Sequence, residues 1–107
     1  MGITDSYILK GKKFYPATYL EFARWREVPG RVRVALTELH NEKISTVFLG
    51  LDHQYQDGLP PILFETMIFG GSADGFMCRY NTYEQAVVGH RRIVKTRCFL
   101  KRLKTHV

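Results

Sequence analysis

Only two cysteines occur in 107 residues, Cys78 and Cys98. That is too few for the disulfide framework of a small secreted domain. No apolar run approaches the roughly 18 residues that a membrane-spanning helix needs. The opening segment MGITDSYILKGKK holds no uninterrupted apolar stretch of signal-peptide length. These absences predict a reduced, cytoplasmic setting with no membrane partner. Internal repeats, low-complexity tracts and long linkers are also missing. Acidic residues are missing from the whole C-terminal segment, the last being Glu84.

What is present describes one small globular unit. A chain of this length buries about 65% of its unfolded surface, enough for one core without a metal or disulfide. Seven Phe, six Tyr and one Trp exclude a disordered tail. The formal charge of +6 is unevenly spread. Residues 1–84 hold nine cations against ten acids, so the body is close to neutral. Seven cations follow with no carboxylate among them: Arg91, Arg92, Lys95, Arg97, Lys101, Arg102 and Lys104. Such a segment attracts polyanions or acidic protein surfaces.

The hydrophobic pattern gives an α+β order. Tyr7 to Leu9 and Lys13 to Tyr15 flank Gly11 as a short hairpin that Pro16 ends. Thr18 and Glu21 form a capping box for a helix running to about Glu27, stopped by Pro29-Gly30. Tyr19, Phe22, Ala23 and Arg26 share one face of it, with Trp25 at the border. Residues 31–39 alternate, with Val32, Val34 and Leu36 on one side and Arg31, Arg33 and Thr37 on the other. Strands over 43–51, 62–69 and 76–80 complete a meander of about four strands. Thr82 and Gln85 then cap a long helix whose core arc carries Tyr83, Ala86, Val87, His90, Ile93, Val94 and Cys98. Both helices are expected on one face of the sheet. Beyond Thr96 the apolar stripe changes side, which predicts a helix end, a kink or a projecting extension. The expected organisation is one domain over 1–96 and a basic helical extension over 97–107.

The candidate partner or anion site is therefore Arg91, Arg92, Lys95, Arg97, Lys101, Arg102 and Lys104, with Phe99, Leu100 and Leu103 as apolar anchors. A second constellation, His53, Glu65 and His90, has the residue types of a ligand pocket, a metal centre or an acid–base pair. Its spacing matches no metal-ligand motif, and no cofactor, metal or catalytic residue is assigned. Asp52 and His53 read equally as a turn pair, and Glu65 as a partner of Arg31, Arg33 or Lys43 across the sheet. Cys78 and Cys98 read as small core residues. No helix-turn-helix or RNA-recognition signature accompanies the cations.

Three segments together resemble a group of small proteins encoded by tailed phages and prophages. They are residues 45–53 (STVFLGLDH), residues 61–71 (PILFETMIFGG) and the run from Arg79 and Tyr80 through Thr82, Glu84 and Ala86 to Gly89 and His90. The group pairs an STVWLGLDH-like strand with an IFETM-like strand and an RYxTxEEAxxGH helix. Leu20 to Trp25 is similar to its EWA-type segment. Phe48 stands where Trp is usual, and the basic tail after Lys95 is a departure. The resemblance implies a phage context rather than a reaction. Small phage accessory proteins commonly act by binding, so it implies a non-enzymatic inhibitor of a host enzyme, a restriction system or a CRISPR ribonucleoprotein. Alternatives are a nucleotide-signal sponge or metal-assisted hydrolase on His53, Glu65 and His90, or a virion assembly component that dimerises through the apolar tail. Expected partners are accordingly a host protein or ribonucleoprotein, then nucleic acid or a phosphorylated ligand, with a homodimer as a further arrangement.

Overall fold

The computed structural model describes residues 5–105, with side chains as far as Leu100. The hairpin is β1 (Ser6–Lys10) and β2 (Lys13–Ala17), followed by α1 (Tyr19–Arg26). Then come β3 (Arg33–Leu39), β4 (Glu42–Phe48), β5 (Phe64–Phe69) and β6 (Met77–Tyr80), and finally α2 (Tyr83–Thr105). The last four strands form one antiparallel sheet in the order β3-β4-β5-β6, and β1-β2 is a separate two-stranded sheet. The expected α+β architecture is the one found.

Local chemistry explains the helix starts. The Thr18 hydroxyl accepts from the Glu21 amide at 3.1 Å, and the Glu21 carboxylate accepts from the Thr18 amide at 2.8 Å. Thr82 and Gln85 repeat the device at the head of α2, with the Gln85 amide donating to the Thr82 hydroxyl at 3.0 Å. Each box satisfies amides that have no partner inside the helix.

Alternation along the strands decides which face is core. Glu42, Ile44, Thr46 and Phe48 of β4 are buried, as are Phe64, Thr66 and Ile68 of β5. Phe48, Leu63, Phe64 and Ala86 form the central cluster, and Tyr7, Phe14, Trp25 and Tyr83 pack against it. The hairpin, α1 and α2 therefore all cover the same sheet face. Each fully buried Phe contributes about 2–3 kcal/mol by leaving water. The Trp25 ring meets Phe48 edge-on at 5.5 Å, which fastens α1 to the sheet.

Three local expectations are corrected. Pro16 does not end the hairpin but sits within β2 opposite Tyr7. In a two-stranded sheet its missing amide can face the free edge, where no ladder bond is lost. In β3 the register slips between Arg33 and Ala35. The extra residue of a bulge reverses the alternation beyond it. Thr37 consequently pairs with buried Ile44 and faces α2, whereas Leu36 pairs with Ser45 on the open face. In α1, Phe22 is buried but Tyr19 is 66% exposed, so the aromatic face is narrower than its spacing suggested.

Helix α2 does not end near Thr96. It runs on to Thr105, 23 residues in all, or about 34 Å at about 1.5 Å per residue. It remains tied to the sheet at Arg97, and the following Phe99 and Leu100 are exposed. No described helix is long and apolar enough to cross a membrane.

Candidate functional site

Helix α2 presents two unlike faces. Ala86 and His90 lie against the sheet, while Val88, Arg91, Arg92 and Lys95 face solvent. Among the described residues no carboxylate forms an ion pair with Arg91, Arg92 or Lys95; the two pairs found are Glu65 with Arg79 and Glu42 with Arg97. Arg91 and Lys95 lie toward β3, beside a cleft that Thr37 also lines. Arg92 borders that cleft too and also reaches toward β6 and the β5–β6 loop. These three cations are a positive surface of the folded body. The side chains of Lys101, Arg102, Leu103 and Lys104 lie outside the described residues.

Arg97 does not belong to that surface. Its guanidinium donates to both carboxylate oxygens of Glu42, at 3.0 and 2.5 Å, and to the Ser72 hydroxyl at 3.2 Å. The Glu42 side chain is 2% exposed and that of Arg97 13%. The hydrogen bonds it donates to Glu42 hold Arg97 above its already high ordinary pKa. The expectation that Arg97 serves a partner is therefore overturned: its charge is used inside the fold. The β5–β6 turn closes tightly on this pair. A Cβ on Gly71 would stand 2.6 Å from the Glu42 Oε2, and Gly71 has φ of 70°. Only glycine meets both conditions without strain. Sequence reasoning missed Glu42, although it continues the inward period of Ile44, Thr46 and Phe48, where a carboxylate must have a cation.

His90 is 5% exposed and lies at the centre of a polar chain between sheet and helix. Tyr80 donates to the Thr66 hydroxyl at 3.1 Å. Thr66 lies 2.5 Å from Thr46, and Thr46 lies 2.7 Å from the His90 Nδ1. Nε2 lies 2.9 Å from the Thr37 hydroxyl. Each hydroxyl has one proton to give. Thr66 accepts from Tyr80 and gives to Thr46, and Thr46 gives to Nδ1. Nε2 then carries the proton and donates to Thr37, a tautomer assigned from the network. Burial lowers the His90 pKa, which keeps the ring neutral. Burial also raises that of Tyr80.

The second expected constellation does not assemble. Glu65 neighbours inward-facing Thr66 and so lies on the opposite sheet face from His90. It is paired at 3.0 Å with Arg79, its cross-strand partner, and not with Arg31, Arg33 or Lys43. His53 follows β4 in a loop, its Nδ1 bonded to the Leu51 carbonyl at 2.8 Å. Asp52 is not paired with His53 but accepts from the amides of Gln54 and Ile62, at 2.8 and 2.9 Å. Among the described residues no three His, Cys, Asp or Glu side chains converge as metal ligands would. Cys78 and Cys98 are free and half-buried.

Two clefts adjoin the β6 side of α2. One, of about 270 Å³, is lined by Ile68, Ala73, Phe76, Ile93 and Thr96, with Arg92 and Arg97 at its wall. The other, of about 450 Å³, is lined by Tyr80, Val88 and Gly89, with Glu84 and Gln85 at one end and Arg92 again at the other. No protein-family model, curated protein or solved structure matches the chain.

Proposed function

We propose that the chain is a binding protein that docks an acidic macromolecular surface through α2. The observation that carries this is the exposure of Arg91, Arg92 and Lys95 with no described carboxylate neutralising them, on a helix packed against the sheet. Prepositioned like charges speed encounter with an acidic patch and discriminate against basic ones. Phe99 and Leu100, 60% and 38% exposed on the next turn, supply apolar area beside the charge. The resemblance to tailed-phage accessory proteins supports a host enzyme or defence complex as the target. The alternative sponge or hydrolase on His53, Glu65 and His90 is not carried forward, because those residues share no site.

Affinity capture from bacterial lysate, with and without nuclease, tests this reading. The wild type is expected to retain a partner that elutes as salt rises. Reversal of all three charges (Arg91→Glu, Arg92→Glu, Lys95→Glu) is expected to reduce capture at least tenfold with an unchanged thermal midpoint. Capture that is insensitive to both salt and charge reversal contradicts it. Nuclease sensitivity assigns the acidic surface to nucleic acid, and resistance assigns it to protein.

A further inference from the structure

The two clefts beside α2 meet at Arg92, and their arrangement specifies a partner more closely than charge alone. Between Gly89, in one cleft, and Thr96, in the other, α2 rises about 10 Å at about 1.5 Å per residue. In an extended peptide, side chains four positions apart on one face are separated by about 13 Å, with a third side chain midway between them. The first cleft is floored by Ile68, which is 2% exposed, and Ile93, and walled by Phe76, which is 51% exposed. The second is lined by the Tyr80 ring, which packs directly on Gly89, and by Val88. Between them stands a guanidinium with no acidic partner among the described residues.

We infer that this groove binds an extended peptide segment with an apolar–x–acid–x–apolar pattern. The central carboxylate meets Arg92, and the two large apolar side chains fill the flanking clefts. The inference rests on the reading of α2 as a binding element and names the partner of that element. Charge complementarity favours such a peptide over a nucleic acid strand. A phosphate backbone needs a line of cations, whereas Arg92 is the one cation lining these two clefts that no described carboxylate neutralises; Arg91 and Lys95 line the cleft on the β3 side, which Arg92 also borders. The charge of Arg97 is neutralised by Glu42, and Glu84 lines the far end of the second cleft. That carboxylate repels closely spaced phosphates but tolerates a single central charge flanked by neutral residues.

The probe is a set of N-acetylated, C-amidated pentapeptides based on Leu-Thr-Asp-Thr-Phe, with Leu, Met, Phe or Trp at the two outer positions. Binding is read by fluorescence anisotropy and by amide shifts in the protein. The best peptide is expected to shift Ala73, Phe76, Gly89 and Thr96. Replacing its Asp by Asn, or Arg92 by Ala, should weaken it at least fivefold. Ala73→Trp, which fills the first cleft, should weaken it at least tenfold without changing retention on a heparin column. Phe76→Ala, which removes the wall without adding bulk, provides a second reading if the larger variant misfolds. Peptide binding that survives both cleft variants, or heparin retention by a wild type that binds none of the set, overturns this inference and leaves the broader reading standing. Loss of heparin retention and lysate capture by the wild type overturns the broader reading and this one with it.

Discussion

The Arg97 guanidinium spans both oxygens of the Glu42 carboxylate, which lies 55 residues earlier in the chain, at the start of β4. That pair ties the far half of α2 to the β3–β4 hairpin, and Ser72 brings in the β5–β6 loop. A buried pair of this kind adds little over a well-packed apolar pair, but breaking it strands a buried charge. Glu42→Ala and Arg97→Ala should each destabilise the fold by about 3–5 kcal/mol. The double replacement Glu42→Leu with Arg97→Met should recover most of that loss. Urea unfolding of the three variants checks it, and additive losses in the double variant count against a coupled pair.

His90 sets the acid limit of the fold. Burial places its folded pKa below the ordinary 6.5. The unfolded chain therefore takes up a proton at a pH where the folded chain does not. The contribution of the neutral ring is complete above pH 6.5. It is lost as pH falls through the window between that value and the lower folded one, with a limiting slope of about 1.4 kcal/mol per pH unit. Protonation would also oblige Thr46, which donates to Nδ1, to turn its proton toward Thr66, and Thr66 would then lose its own acceptor. Urea midpoints from about pH 7.5 down to about pH 5.5 should fall for the wild type. His90→Gln should be less stable at the upper end and flatter across the range. A parallel slope in that variant assigns the effect elsewhere.

The helix starts were readable because capping is local: Thr18 with Glu21 and Thr82 with Gln85 are three residues apart and need no tertiary information. The four-strand order was readable because consecutive strands tend to pair with each other, most tightly where only His40 and Asn41 separate β3 from β4. The site was less legible because it depends on register. A one-residue slip at Arg33 and Ala35 exchanged Leu36 for Thr37 on the core side, and so gave His90 a partner that alternation had assigned to solvent. Arg97 looked like any other cation of the basic segment, because its partner lies on another element and is set there by the pleat of β4. Glu65 illustrates the converse: its cross-strand neighbour Arg79 follows once β5 and β6 are paired in register.

Thr46 and Thr66 make the polar chain cooperative. Thr46→Val removes the donor to the His90 Nδ1 and the partner of Thr66 at once, inside a region where Thr46 and Thr66 are 0% exposed. The expected loss is about 2–3 kcal/mol, of which most is the cost of unpaired buried groups rather than the bonds themselves. Thr66→Val should cost less at the His90 end because Thr46 can still donate to the ring. A double-mutant cycle by urea unfolding should show that the two losses together are smaller than their sum. Strict additivity would mean the hydroxyls act independently.

Gly89 supplies a test in which helix propensity and packing predict opposite signs. In an exposed helix interior, Gly→Ala stabilises by about 1 kcal/mol. Here a Cβ at position 89 would run into the Tyr80 ring, which its hydroxyl fixes to Thr66. The ring cannot move aside without breaking that bond, so overpacking at a cost of about 1–3 kcal/mol opposes the propensity gain. Gly89→Ala should therefore be net destabilising by urea unfolding. In a Tyr80→Ala background, where the obstacle is gone, the same substitution should turn stabilising. A Gly89→Ala variant as stable as the wild type would show that Tyr80 is free to rotate, and that the hydroxyl chain does not hold the sheet and α2 in register.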